Sequence, residues 1–271
     1  MDDGFSGHKP SGMKALILSA GQGSRLLPLT ESRPKCLIEL SGHSLLEWQL
    51  LALADAGVDE AVIVTGFAAE QVDAMLALHT PPGMRVRTIF NPFYNVSDNL
   101  ATCWLVREEL RGGGLILNGD TLIEPEIARR LLAAPAAPVT VTIDRKSHYD
   151  SDDMKVETEG VRLRAIGKTL PMSTVDGESI GFLRFDAQGA ERFIADLEGM
   201  MRSGEGLKLW YLSTINRLVN EGCEVRTVSI EGLDWGEMDF LPDVERNREM
   251  TSSWTARWLQ PASAGATVDG G

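Results

Sequence analysis

The chain has 271 residues, and 39 acidic side chains against 26 basic ones leave a formal charge of -13. A 43% hydrophobic share with 24% charged residues describes a folded globular protein and excludes a wholly disordered one. The acidity excludes a general binder of nucleic-acid polymers, whose phosphates demand an excess of Lys and Arg.

Residues 1–12 are polar, lack the apolar core of a signal peptide and read as a flexible N-terminal tail. No apolar run reaches the roughly 18 residues that span a bilayer. Cys36, Cys103 and Cys223 are odd in number and far apart, which argues against a disulfide framework. A cytoplasmic protein is expected. Residues 14–19 form a short apolar run closed by Gly21 and Gly23 and predict a buried strand. Helical apolar spacing over 44–56 stops at Gly57 and is followed by a strand at 61–65 and a helix at 68–79. A strand at 84–90, a helix at 99–110, a strand at 115–118, a helix at 124–133 and a strand at 139–143 continue the alternation. Strands alternating with long helices imply βαβ units and a mostly parallel sheet with right-handed crossovers.

After Asp144 the texture changes. Short strands at 154–158, 161–166 and 179–185 suggest antiparallel pairing, then helices at 187–201 and 208–220, a strand at 224–229 and a last helix starting near Pro242. The expected architecture is α/β: one Rossmann-like, mostly parallel sheet flanked by helices, with a small mixed-sheet insertion. A single domain is placed at 13–250, its acceptor-binding part at about 144–240, and 251–271 is a partly disordered C-terminal tail.

The first strand opens into Ser19-Ala20-Gly21-Gln22-Gly23-Ser24-Arg25-Leu26, with Pro34-Lys35 following. Glycines directly after a strand let backbone N–H groups approach phosphate oxygens. Leu26 stands where a dinucleotide fold needs its third glycine, and the P-loop pattern is absent. A glycine turn without ligand is the plain alternative. Against it, Lys14, Arg25, Arg33 and Lys35 face Glu31 alone between residues 13 and 35, a local +3 in an acidic chain. A triphosphate, stabilised by charge-assisted contacts, accounts for that contrast.

The segment LSAGQGSRLLPLTESRPK resembles the signature G-x-G-x-R-L-x-P-L-T-x-x-x-P-K of the sugar-1-phosphate nucleotidyltransferase superfamily. Within it, the stretches at 91–105, 115–120, 149–156 and 235–248 are similar to the phosphocholine cytidylyltransferase-like branch. The resemblance implies a nucleotide-diphospho-sugar transferase-like fold, Mg²⁺, and transfer of a nucleotidyl group from an NTP to a phosphate or phosphonate. It implies that Ala20, Gly21, Gly23, Ser24, Arg25, Asn118 and Gly119 bind the nucleotide. Lys35, Arg25 and Asp120 would carry catalysis, and Asp120 and Asp239 the metal, with Glu237 either a further ligand or a rim residue. Two aspartates converging from distant segments suit Mg²⁺, a hard ion that keeps phosphate and water among its ligands. A Gly-Asp turn is the simpler reading of Asp120 alone.

Lys155 and Lys168 are each candidates for the acceptor phosphate, while Asp150, Asp152 and Asp153 bind a cation or cap a loop. Relatives in this branch use acceptors with a small cationic head, such as phosphocholine or 2-aminoethylphosphonate, and a quaternary ammonium wants aromatic faces and a carboxylate. Tyr94, Trp104, Trp210, Tyr211 and Trp235 fall in or near the branch-like stretches. Tyr94, Tyr211 and Trp235, beside loop-like segments, are the preferred aromatic contacts, whereas Trp104 fits a helical core pattern. Asn99 joins the acceptor set. Asp98 before it either favours an amine or caps the helix. CTP follows from the resemblance alone; GTP, UTP and dTTP stay open. The expected chemistry is in-line attack of an acceptor oxygen on the α-phosphorus with loss of pyrophosphate, which needs positioning and charge neutralisation rather than a base. The four histidines show no metal or catalytic spacing. Transfer to a sugar- or cyclitol-1-phosphate, and a nucleotide-sensing module without chemistry, are the competing readings.

Overall fold

The structure is a computed structural model, and it describes residues 12–258. The expected tails therefore fall largely outside the described residues, at 1–11 and 259–271. The first half of the chain runs β1 (Lys14–Leu18), the hairpin β2 (Glu39–Leu40) and β3 (His43–Ser44), α1 (Leu45–Asp55), β4 (Glu60–Thr65) and α2 (Ala69–His79). It continues with β5 (Arg85–Phe90), α3 (Asn99–Leu105), β6 (Gly114–Asn118), β7 (Thr121–Ile123), α4 (Pro125–Ala133) and β8 (Val139–Asp144). The second half comprises β9 (Lys155–Glu159), β10 (Arg162–Gly167), β11 (Gly177–Phe185), α5 (Ala187–Arg202), α6 (Leu212–Asn220), β12 (Val225–Ser229), β13 (Trp235–Glu237) and α7 (Leu241–Trp258).

Nine strands form one sheet in the order β5-β4-β1-β6-β11-β8-β12-β10-β9. β5, β4, β1 and β6 are parallel, as the βαβ alternation requires. β11 enters between β6 and β8 and runs antiparallel to both, so the strand assigned to the insertion lies at the centre of the sheet. Its nine residues are all buried, which a central strand covered on both faces demands. One apolar layer packs Leu16, Ile116 and Leu183 against α3, α5 and α6; the other packs Ile17, Leu117 and Phe182 against α1 and α4.

Local chemistry explains the element ends. Ser44 caps α1 by accepting from the Glu47 N–H while the Glu47 carboxylate accepts from the Ser44 N–H, a capping box. Two sequence boundaries are corrected: α3 ends at Leu105 and a short 3-10 turn follows, while α6 begins at Leu212 rather than 208. α7 starts where proline favours it but runs past 250 to Trp258, because Trp254 is fully buried edge-to-face against Trp48. A third apolar cluster, with Leu26, Leu40, Leu122, Met238 and Val244 around these two indoles, ties α7 to α1 and to the β7–β13 pair. Among the described residues no helix is long and apolar enough to cross a membrane.

Candidate active site

The parallel strands β1 and β6 end side by side, with Leu18 opposite Asn118. Open α/β sheets bind ligands beyond such carboxyl ends. The glycine loop after β1 and the Asn118-Gly119-Asp120 turn after β6 line one cleft of about 320 Å³. Ala20, Gly21, Gly23 and Lys35 form one side of it, Asn118, Gly119 and Asp120 another. Gly23 has φ 80, and a Cβ there would sit 2.9 Å from the Lys35 Cβ, so this position admits the lysine only as glycine. Ser24 and Arg25 begin a 3-10 turn, and the loop is braced by Thr30, whose hydroxyl donates to the Gly23 carbonyl.

Lys35 joins the two aspartates. Its Nζ donates to Asp120 Oδ2 at 2.8 Å and to Asp239 Oδ1 at 3.0 Å, although 204 residues separate Lys35 from Asp239. Arg25 reaches the other oxygen of Asp239 at 3.3 Å and stacks over the Phe240 ring. Burial opposes the Lys35 charge, but the Asp120 and Asp239 carboxylates more than offset it and hold the ammonium protonated well above its ordinary range. Burial likewise pushes Asp120 up, and Lys35 pulls it further down, so it is ionised. Glu237 has no such partner: desolvation, then the nearby Asp120 and Asp239 charges, push its carboxyl up to about 8. Cys36, beside Lys35, is buried and pushed up to about 12, which leaves it an inert thiol. Arg33 does not join this centre; it turns to a separate cleft with Glu39 and Arg248.

Among the described residues no cluster of three or more His, Cys, Asp and Glu forms a metal cage. Two carboxylates meeting at one point are nevertheless the donor set that Mg²⁺ takes from proteins when phosphates and waters complete its shell. The residues fit the ion. Asp120 and Asp239 would hold it.

The expected acceptor residues separate. Tyr94 and Asn99 line the glycine-loop cleft. Trp235 lines a second, larger cleft of about 690 Å³ that holds Glu178, Lys146, Asp144 and Asp153, together with Asp239, the ion-pair partner of Lys35 in the first cleft. Its indole N–H donates to Asp144 at 2.8 Å, which fixes the ring. Tyr211 is a correction: it is fully buried in the core, with its ring edge on Phe193, and cannot touch a substrate. The neighbouring Trp210, 42% exposed, lines the cleft instead. The difference is one residue of phase, because the Tyr211 N–H is tied to the Asn99 side chain where α6 begins. Lys155 is a second correction. It is 3% exposed and its ammonium donates to the carbonyls of Asp150, Asp153 and Lys168, so it pins a loop. Lys168 is half-buried, with its ammonium 4.2 Å over the Trp210 ring and 3.7 Å from Asp152.

Glu178 and Lys146 were not anticipated. The Lys146 ammonium lies 2.9 Å from Glu178 and 2.8 Å from Asp153. A glutamate beside the short run at 179–185 was the available signal, since an acid is seldom buried without a partner.

Residues 14–153 match the nucleotidyl transferase family. This chain belongs to that family and is a nucleotidyltransferase. It is 27% identical over 241 residues to the choline-phosphate cytidylyltransferase of Streptococcus pneumoniae, covering 88% of this chain and 98% of that protein. It is 30% identical over 263 residues to the CMP-5'-(3-aminopropyl)phosphonate synthase of Streptomyces rubellomurinus, covering 91% of this chain but 42% of that protein. Among solved structures, the inositol-1-phosphate CTP transferase from T. maritima superposes with a TM-score of 0.75 at 18% identity, over 91% of this chain and 98% of that one. The CTP:phosphocholine cytidylyltransferase of Streptococcus pneumoniae gives 0.71 at 24% identity, over 88% and 99%. These likenesses show the same α/β fold.

Proposed function

We propose that the protein transfers CMP from CTP to a small acceptor bearing a phosphate or phosphonate, with Mg²⁺, and releases pyrophosphate. The observation that carries this reading is the Lys35 ammonium bridging Asp120 and Asp239 at the mouth of the glycine-loop cleft. In the absence of nucleotide the lysine neutralises the two acids; with nucleotide bound it is placed to turn toward phosphate oxygens. The glycine-loop N–H groups and Arg25 take up the remaining phosphate charge. A Mg²⁺ ion held by Asp120 and Asp239 would supply charge neutralisation at the α-phosphate and leaving group.

The acceptor phosphate is already anionic near neutral pH, so its oxygen attacks without a general base, and catalysis is positioning and electrostatics. Lys168, beside the cleft-lining Trp210, is the candidate contact for the acceptor phosphate. The acidic cleft around Trp235 and Glu178 supports a cationic head group of the phosphocholine or 2-aminoethylphosphonate kind. The names of the cytidylyltransferase relatives support CTP.

The test is a matrix of CTP, UTP, GTP and dTTP against phosphocholine, 2-aminoethylphosphonate, a cyclitol phosphate and a sugar-1-phosphate, with pyrophosphate followed over time. CTP with one of the amine-bearing acceptors should react fastest. Turnover confined to a sugar- or cyclitol-1-phosphate would overturn the acceptor class, and no turnover by folded protein would overturn the reaction.

A further inference from the structure

Two buried amides hold the turns that carry the two aspartates. Gln49, on α1 and without solvent exposure, donates from Nε2 to the carbonyl of Asn118 at 2.9 Å and to that of Thr121 at 2.8 Å. Those carbonyls flank Gly119-Asp120, so one amide spans the turn that presents the Asp120 carboxylate. Asn247, on α7 and 2% exposed, donates from Nδ2 to the Glu237 carbonyl at 2.9 Å. Its Oδ1 presses on Gly236, where a Cβ would lie 2.2 Å away, so the close approach requires glycine.

The strands between the amides lock the two turns together. Thr121 pairs with Glu237 in the antiparallel β7–β13 ribbon, and the Met238 N–H donates to the carbonyl of Asp120 itself at 3.0 Å. Asp120 leads into one strand and Asp239 follows the other. α7 adds a hold at the far end, where the Asp243 carboxylate accepts from the Asp239 N–H at 3.1 Å and the Phe240 N–H at 2.7 Å.

We propose that Gln49 and Asn247 are positioning residues for nucleotidyl transfer, which set the separation of the Asp120 and Asp239 carboxylates from beneath the cleft. The proposal rests on the cytidylyl-transfer reading above. Packing does not call for amides here, since the buried residues beside Gln49 on α1 (Leu45, Leu46, Trp48, Leu50) and those near Asn247 (Met238, Val244, Trp254) are apolar. A buried amide is costly unless its groups are hydrogen-bonded, and Gln49 Oε1 has no hydrogen-bond partner. What offsets that cost is the donor side, and both residues direct it to backbone of the carboxylate turns rather than to their own helices. Phosphoryl-type transfer is sensitive to such placement, because a shift of about 1 Å can cost on the order of a hundredfold in rate.

The experiment compares Gln49→Met and Asn247→Ala with the wild-type chain and with Leu197→Ala, a core substitution in α5 remote from both turns. Three quantities are read: kcat and KM for CTP, Mn²⁺ affinity by electron paramagnetic resonance with CTP present, and the thermal unfolding midpoint. Outer-layer substitutions at metal sites typically cost about 10–100-fold, so kcat and Mn²⁺ affinity should fall by that order in both variants while KM for CTP changes little. Leu197→Ala should lose comparable thermal stability and keep both. If Asn247→Ala does not fold, the near-isosteric Asn247→Leu replaces it. Wild-type kcat and Mn²⁺ affinity in folded Gln49→Met and Asn247→Ala would overturn the proposal, as would equal losses in Leu197→Ala. A wild-type chain that releases no pyrophosphate with any acceptor refutes the cytidylyl-transfer reading instead, and the Mn²⁺ comparison then decides the positioning role by itself.

Discussion

A lysine held between two carboxylates, as Lys35 is between Asp120 and Asp239, stays charged at any working pH and serves as fixed electrostatics rather than as a proton carrier. Lys35→Ala should therefore lower kcat by about two to three orders of magnitude, the usual loss when one transition-state donor is removed. Circular dichroism should show the fold intact; unchanged pyrophosphate release would remove the role assigned to it. Glu178 behaves differently. Desolvation pushes its carboxyl up to about 7 from an ordinary 4.5, and Lys146, then Asp153, face it across the second cleft. The folded chain thus binds this proton where the unfolded chain has released it. That contribution favours folding below about 4.5 and is lost as pH rises through 7. Between pH 5 and 8 the unfolding midpoint of Glu178→Gln should fall less than that of the wild type. Parallel curves would show that Glu178 is not the group involved. At this scale Lys35 was legible in a local run of glycine, arginine and Pro-Lys, and Asp120 in the Asn-Gly-Asp turn that the family resemblance singled out. The choice between Trp210 and Tyr211 was not, since one residue of phase at a helix start decides which ring faces the core.

The long elements follow from periodicity, and the short ones that build the site do not. β7 and β13 have three residues each, below the four to eight over which alternation can be read. Their pairing joins segments about 110 residues apart, and no local signal carries it. α7 illustrates the reverse error. Its polar composition after 250 resembles a tail, yet Trp254 inserts against Trp48 and its indole N–H reaches Asp234. Trp254→Ala should cost about 3–5 kcal/mol, the range for a large buried aromatic truncated to alanine. Chemical denaturation measures it, and a loss under 1 kcal/mol would mean that this helix end is peripheral to the fold. Because α7 also holds Asp239 through Asp243, the same variant should lose activity more steeply with temperature than the wild type.

Across the whole molecule the charge is distributed rather than uniform. The glycine-loop segment is locally +3, and residues 231–249 hold seven acids against Arg246 and Arg248. The fold brings these two segments together at Lys35, Arg25 and Asp239. A single nucleotide with its metal can be accommodated between them, whereas a phosphate polymer meets a chain whose net charge is -13. Raising salt from about 0.05 to 0.5 M should weaken CTP binding severalfold by screening, and calorimetry should detect no binding of a DNA duplex at either salt. Duplex binding at low salt would contradict the reading of the surface.

The sequence by itself determined the α/β alternation and the glycine loop, and its resemblance to the nucleotidyltransferase superfamily singled out Lys35, Asp120 and Asp239, which the fold brings together. Apolar period and loop chemistry are local properties that any short window of residues displays. Only the tertiary structure decided that β11 divides the sheet, that Arg33 and Tyr211 turn away, and that Lys155 is a structural pin. It alone placed Glu178 and Lys146 beside Trp235 and put Gln49 and Asn247 beneath the two aspartates. Those outcomes depend on which distant backbones pack together, and packing energy is shared among residues that sequence proximity does not connect.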